Sequence, residues 1–369
     1  MDARRRRRKN IIRDFSIGWT IGVTVFFLIS TVPNREFEEA GVPVWGAWVG
    51  LLVMALLVGT ISGYVQYMWE ERYYRRMPLA KLVGIKIGFT LFFVLVLVTV
   101  RYFVALYIFR MPVEFGEFIL REESISFYIF FFFMDVILSL LRQVNILLGP
   151  GNLRRLVRGE FYTPKEGTRI FMFIDLKSST EAAEKLGHIR YSRMLQECFD
   201  DLAVVGDYNA EIYQYVGDEV VLTWPMQSGF KDGNCVKAFY AFAEQLRLRE
   251  GYYKAVYGWV PFFKAGMNAG EVVVAEVGRY RREIAYHGDT INTAARIQGQ
   301  CNGFNRALLV SEKMVRRLSP LPGYEFEGLG EISLKGKQEQ VAIYAVHPAG
   351  DSARSNFSPS TTKVPDPSP

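Results

Sequence analysis

Two carboxylates stand where strands are predicted to end. Asp175 closes the run Arg169-Ile170-Phe171-Met172-Phe173-Ile174, and Asp218 lies in Tyr215-Val216-Gly217-Asp218-Glu219, between two β-rich runs. Acids so placed can hold divalent metal against a nucleoside triphosphate when their strands are neighbours. Directly after Asp175, Leu176-Lys177-Ser178-Ser179-Thr180 leads into a predicted helix. The free N–H groups at a helix start attract phosphate, and a carboxylate beside such a cradle suits a bridging Mg²⁺. Taken singly, an Asp before a helix and an Asp beside a Gly are more often a cap and a turn.

Two further segments add polar groups. His287-Gly288-Asp289-Thr290-Ile291-Asn292-Thr293-Ala294-Ala295-Arg296 combines a turn with a helix start. Asn292 and Arg296 are four residues apart and share a helical face. An amide and a guanidinium there can bind sugar oxygens and a phosphate, although such a pair is usually a solvated face. Leu334-Lys335-Gly336-Lys337 places amines in a Gly-containing loop, which suits a polyphosphate or any exposed turn. Cys198, Cys235 and Cys301 are far apart and form no metal or disulfide framework, which fits a reducing compartment and three small buried hydrophobes.

These residues need an α/β domain to position them. Residues 169–174 read as a buried strand, and Ser178 with Glu181 as a capping box opening a helix to about Leu202. Residues 211–216 and 220–224 read as a hairpin around Gly217-Asp218. Residues 235–248 read as a helix. Residues 262–267 and 272–277 read as two strands joined by a turn at Asn268-Ala269-Gly270. A helix over 290–300 and the last strands within 332–346 complete a mixed, largely antiparallel sheet. Neither GxGxxG nor GxxxxGK[ST] is present, which removes the main support for dinucleotide-binding and P-loop readings.

The first half of the 369-residue chain is of another kind. Apolar stretches over 11–32, 44–69, 79–100 and 125–148 each reach the roughly 20 residues that a membrane-crossing helix needs. The first is too long for a signal peptide, lacks a small-residue cleavage site and is followed by three more, so it reads as a retained helix. Basic flanks (Arg4 to Lys9; Arg72, Arg75, Arg76 and Lys81; Arg154, Arg155 and Arg158) alternate with acidic connections. That alternation predicts both termini on the cytoplasmic side of the plasma (inner) membrane. Asp135 lies deep in the fourth span and should face a helix partner or a polar cavity, with a helix–helix polar contact within a dimer favoured over a sensing or proton-linked site. Lys86 is near a span end and can snorkel. The expected organisation is a basic N-terminus (1–10), a four-helix membrane domain (11–148), a basic linker helix (149–167), a catalytic domain (168–347) and a Ser/Pro-rich disordered tail (348–369).

The motifs FMFIDLKSST, YVGDE, HGDTINTAAR and LKGK, in this order and spacing, resemble those of the class III nucleotidyl cyclases over residues 168–346, about half the chain. The resemblance implies an α+β ferredoxin-like catalytic core and head-to-tail homodimers with active sites at the interface. It implies conversion of a nucleoside triphosphate to the 3′,5′-cyclic monophosphate and pyrophosphate, with two Mg²⁺ or Mn²⁺ per site. It gives Asp175 and Asp218 the role of metal carboxylates and Ile174 that of a metal-binding backbone carbonyl. Asn292 would orient the ribose, Arg296 would stabilise the α-phosphate, and Lys335 would bind the terminal phosphates. Ser178, Ser179 and Thr180 would line the phosphate cradle. At the base-reading positions, adenylyl members usually carry Lys with Asp or Thr, and guanylyl members Glu with Cys; this chain has Gln214 and Ala285. A Gln amide both donates and accepts, so it could read adenine or rotate to read guanine. Since some bacterial members resembling adenylyl cyclases tolerate such replacements, ATP is the expected substrate and GTP the alternative. A catalytically silent sensor is disfavoured because Asp175, Asp218, Asn292, Arg296 and Lys335 are all present. A polymerase-like palm is disfavoured because Val216-Gly217-Asp218-Glu219-Val220 only partly matches its turn.

Overall fold

The computed structural model describes residues 3–29, 44–72, 79–107, 114–149, 152–160, 162–280, 282–333 and 340–350. It divides into two compact units, Met1–Leu147 and Leu148–Pro369.

In the first unit, the apolar stretches form helices Ala3–Ile29, Val44–Arg72, Leu79–Tyr107 and Glu122–Leu148. Each contains a segment long and apolar enough to cross a membrane. The connections over 30–43, 73–78 and 108–113, on which much of the loop-charge reading rests, lie outside the described residues. The first helix buries the stripe Ile11, Phe15, Trp19, Val23 and Phe27, one residue per turn. Its neighbour meets it through Gly59 and Gly63, where a Cβ would lie 2.6 Å from Ser16 Cα and 2.8 Å from Ile12 Cα. Small residues four apart let two helix backbones approach in this way.

Two buried carboxylates of this unit, Asp135 and Glu70, pair internally. Asp135 accepts hydrogen bonds from Ser62 Oγ (2.7 Å) and Thr90 Oγ1 (2.8 Å), and Lys86 Nζ lies 3.3 Å from its carboxylate. Lys86 therefore does not snorkel: its ammonium turns inward to Asp135 and to Gln66 Oε1, 3.5 Å away. An ion pair inside the bundle replaces the water that a snorkelling amine would seek. One helical layer away, Arg142 holds Glu70 bidentately at 2.8 and 3.0 Å, and Arg7 reaches the same carboxylate at 2.9 Å.

In the second unit, after a short basic helix Asn152–Val157, eight strands form one sheet. They are β1 (Lys165–Leu176), β2 (Glu211–Val216), β3 (Glu219–Pro225), β4 (Phe263–Val277), β5 (Glu283–His287), β6 (Leu308–Ser311), β7 (Tyr324–Ser333) and β8 (Gln340–Pro348). The order is β2-β3-β1-β4-β6-β8-β7, with β5 on the far end of β4. β1 to β4, with the helices between them, make a βαββαβ core of the ferredoxin-like kind, antiparallel throughout. The parallel β4–β6 pair extends it.

Residues 170–174 of β1 are apolar without interruption because both faces of the strand are covered there. Ile170, Met172 and Ile174 pack with helices His188–Asp201 and Asn234–Leu248, while Phe171 and Phe173 pack on the other face with Val221, Val272 and Ala294. Helix Asp289–Gly299 covers that second face.

Two expectations are corrected. The predicted strands 262–267 and 272–277 are one strand, β4, paired with β1 in unbroken register from Leu176↔Phe263 to Lys165↔Val274. The Asn-Ala-Gly segment is not a turn because its polar group is satisfied in place. Asn268 donates to Thr290 O (3.1 Å) and accepts from Ser311 Oγ (2.7 Å). Gly266 and Gly270 instead make room for the covering helix. A Cβ on Gly266 would lie 2.1 Å from Gln298 N, and one on Gly270 2.5 Å from Thr290 Oγ1. The second correction concerns the helix expected over 178–202. It is two helices, Ser179–Leu186 and His188–Asp201, broken at Gly187, whose φ of 72° is outside the helical range. Ser178 is itself left-handed (φ 55°) and makes no side-chain cap, so the capping box does not form.

Gly266→Ala should cost about 1–3 kcal/mol through overpacking against a backbone that cannot yield; denaturant titration of the purified chain reads this, and an unchanged midpoint would mean the helix is not seated on β4. In the membrane unit, Asp135→Leu alone strands a buried ammonium at a cost of about 3–5 kcal/mol, whereas Asp135→Leu with Lys86→Met should recover most of it. Thermal unfolding in lipid nanodiscs compares the two; equal losses would argue against the pair.

Candidate active site

Asp175 lies between two partners fixed by sheet register: Glu219 on β3 and Lys264 on β4. Asp218 immediately precedes Glu219 in the β2–β3 turn, so the hairpin brings both acids to the end of β1. Lys264 Nζ is 3.2 Å from Asp175 Oδ2, and Gln298 Nε2 donates to the same oxygen at 3.1 Å.

The electrostatics are those of crowded acids. Partial burial raises the Asp175 carboxyl above its usual range, against the pull of Lys264, and Asp218 adds to the rise. Glu219 is pushed up to about 7, by burial first and then by Asp175 and Asp218. Burial and the charge of Asp218 also push the Tyr191 phenol up to about 12. A divalent cation relieves such repulsion, so the residues fit one. Among the described residues no three His, Cys, Asp or Glu side chains converge as a closed metal site. That suits a cation which takes only one or two carboxylates and completes its shell with backbone, water and substrate oxygens.

The other expected residues fall as follows. Ile174 is fully buried in the core, its backbone in the sheet beside Asp175. Ser178 and Thr180 are exposed and Ser179 half-buried at the start of helix Ser179–Leu186. Asn292 is exposed and Arg296 half-buried on helix Asp289–Gly299. That helix touches Asp175 through Gln298, which is about 200° around the axis from Arg296. Arg296 therefore faces away from the Gln298–Asp175 contact of its own chain, and Asn292 lies about 120° around the axis from that contact. Gln214 is exposed on β2 next to a register shift, and Ala285 pairs with Ala275 on β5. Tyr213 and Tyr286 pack edge to face at 5.0 Å, with Phe171 5.3 Å from Tyr286, so their rings belong to the core. Tyr215 packs on Phe199 at 4.8 Å. Lys335 lies outside the described residues.

Sequence reasoning missed Lys264, Gln298, Glu219 and Arg306. A cavity of about 290 Å³ lies beside Asp175, lined among others by Lys177, Ser178, Lys264, Asn305 and Arg306. Its cations suit a polyanion. The available signal was Lys264 itself, a charged residue inside an apolar strand pattern.

With this geometry in view, the comparisons are specific. Residues 162–348, just over half the chain, match the adenylate and guanylate cyclase catalytic domain, and the chain belongs to that family. It is 35% identical over 225 residues to Adenylate cyclase 2 of Rhizobium meliloti (strain 1021), covering 58% of this chain and 62% of that protein. It is 26% identical over 220 residues to the adenylate cyclase of Anabaena cylindrica, covering 55% of this chain and 38% of that one. The chain thus spans less than two thirds of the length of these curated relatives. A bacterial light-regulated adenylyl cyclase of solved structure shares the fold, with a TM-score of 0.52 at 15% identity over 64% of this chain and 71% of that one.

Asp175→Asn and Asp218→Asn should each weaken Mn²⁺ binding at least about 10-fold, read by electron paramagnetic resonance without nucleotide. Unaltered binding in both variants would remove this pair as the cation site.

Proposed function

We propose that the chain is a membrane-anchored nucleotidyl cyclase that converts ATP to 3′,5′-cyclic AMP and pyrophosphate, at sites shared between two head-to-tail copies. The observation that carries this reading is the split of the site's residues. Asp175 and Asp218 sit together at the sheet end, while Asn292 and Arg296 of the same chain are turned from them by the Gln298 contact. A second copy supplies the missing face.

In this reading Asp175, Asp218 and the Ile174 carbonyl hold Mg²⁺ or Mn²⁺, two per site. The bound cations would lower the pKa of the ribose 3′-hydroxyl and shield charge on the pyrophosphate. The start of helix Ser179–Leu186 receives the phosphates through its N–H groups and the hydroxyls of Ser178, Ser179 and Thr180. Lys264 and the other cations of the adjacent cavity, with Lys335, neutralise the β- and γ-phosphates. Asn292 from the partner copy orients the ribose. The 3′-hydroxyl gives its proton to solvent, the bond from O3′ to the α-phosphorus forms as the bond from that phosphorus to the oxygen bridging it to the β-phosphorus breaks, and pyrophosphate leaves with that oxygen. Arg296 of the partner copy meets the charge that develops on the α-phosphoryl oxygens, a role worth about 10²–10³ in rate.

Relaxed base preference is a second reading, favoured by one observation. Gln214 is exposed and, among the described residues, nothing fixes its amide, which can rotate to face either purine. The alternation of basic and acidic connections supports a cytoplasmic catalytic unit in the inner membrane.

Incubation of the purified chain with ATP or GTP and Mg²⁺ or Mn²⁺, followed by mass spectrometry, should give cyclic AMP as the main product; absence of any cyclic mononucleotide would end the proposal. Asp175→Asn and Arg296→Ala chains should each be inactive alone. Mixed, they should regain up to one working site per heterodimer, and inactivity of mixtures in which heterodimers are demonstrated would refute the shared site.

A further inference from the structure

Helix Asp289–Gly299 has two working faces. Asn292 and Arg296 point one way, toward the site proposed with a second copy. Gln298 points the other way, onto its own sheet. It is buried (7% exposed), and its backbone rests against Gly266, where even a methyl group would collide. Its Nε2 reaches Asp175 Oδ2 at 3.1 Å, and Lys264 Nζ meets that same oxygen at 3.2 Å. Among the described residues no donor sits on Oδ1. A carboxylate held by two donors on one oxygen presents the other in a fixed direction. Of these donors, Lys264 is a point charge on a flexible stem, whereas the Gln298 amide is directional and anchored by a helix that cannot slide on β4. Being neutral, the amide fixes the carboxylate without cancelling the charge that a cation needs.

We propose that Gln298 is a positioning residue for the Asp175 of its own chain, holding Oδ2 so that Oδ1 is presented to the divalent cation. The inference rests on the shared-site reading and deepens it: one helix carries determinants of two different sites, Gln298 for the site in cis and Asn292 with Arg296 for the site in trans. Removing a hydrogen-bond partner that orients a metal ligand typically costs 10–100-fold in metal affinity. A residue that only packs the helix would show no such dependence on which chain carries it.

The experiment uses full-length mixed dimers with one working site, built from the intact Asp175 of an Arg296→Ala chain and the intact Arg296 of an Asp175→Asn chain. Gln298→Leu is added to one chain or the other, and the half-saturating Mn²⁺ concentration for cyclisation is measured. We expect a rise of about 10-fold or more when Gln298→Leu is in the Arg296→Ala chain, and a change within about twofold when it is in the Asp175→Asn chain. Equal shifts in both placements, or a shift that follows the Asp175→Asn chain, would overturn the proposal. Independently of turnover, Mn²⁺ binding by electron paramagnetic resonance should be about 10-fold weaker in unmixed Gln298→Leu protein, and unchanged binding would also overturn it. Gln298→Met, unbranched and close in length, replaces Leu if that variant fails to fold. If the parental mixtures are inactive, the shared-site reading fails, and the resonance measurement still decides the role of Gln298.

Discussion

The pairing of β1 with a strand on each side is the constraint from which the catalytic unit follows. Because β3 and β4 flank β1 in antiparallel register, Asp175 meets Glu219 on one side and Lys264 on the other, and Asp218 enters from the adjoining turn. Sheet hydrogen bonding thus holds like charges together that would separate in a free chain. Burial first, and then this crowding, raises the proton affinity of the carboxyls at Asp175 and Glu219. A cationic partner offsets the repulsion, so the same register that builds the fold also favours what can bind there.

The covering helix follows from the same sheet. Gly266 and Gly270 lie two positions apart on one face of β4, and their missing side chains let helix Asp289–Gly299 rest directly on the strand. That close seating fixes the helix rotation. It turns Gln298 onto Asp175 and leaves Asn292 exposed. In the proposed reading, dimer formation is therefore a requirement of helix geometry and not an added layer of control.

The membrane unit obeys a different solvent. Among the described residues its two buried carboxylates have partners of opposite sign: Asp135 with Lys86, and Glu70 with Arg142 and Arg7. These contacts link all four long helices. Where hydrocarbon gives little preference between helix rotations, directional polar pairs supply one.

Much of this was legible in the chain. Continuous apolar runs marked the membrane helices, since only length and composition matter there. The alternation of strands and helices, with the four ordered motifs, identified the family and its α+β catalytic fold. The order of motifs also brought out Asp175, Asp218, Asn292 and Arg296, the two acids at a strand end and a hairpin turn and the other two on one short helix. What local pattern does not encode is long-range pairing. Asn268-Ala269-Gly270 has the composition of a turn, and it became mid-strand because β1, Thr290 and Ser311 satisfied it from afar. Lys86 has the position of a snorkelling residue, and it turned inward because Asp135 was within reach on another helix. Gln298 carried little local signal and Lys264 only its place in an apolar strand, since their meaning arises only when β4 and helix Asp289–Gly299 bring them to one oxygen of Asp175. The sequence by itself determined which residues are candidates for the chemistry; only tertiary structure decided which of them face one another, because sheet register and helix rotation are set by contacts between segments far apart in the chain.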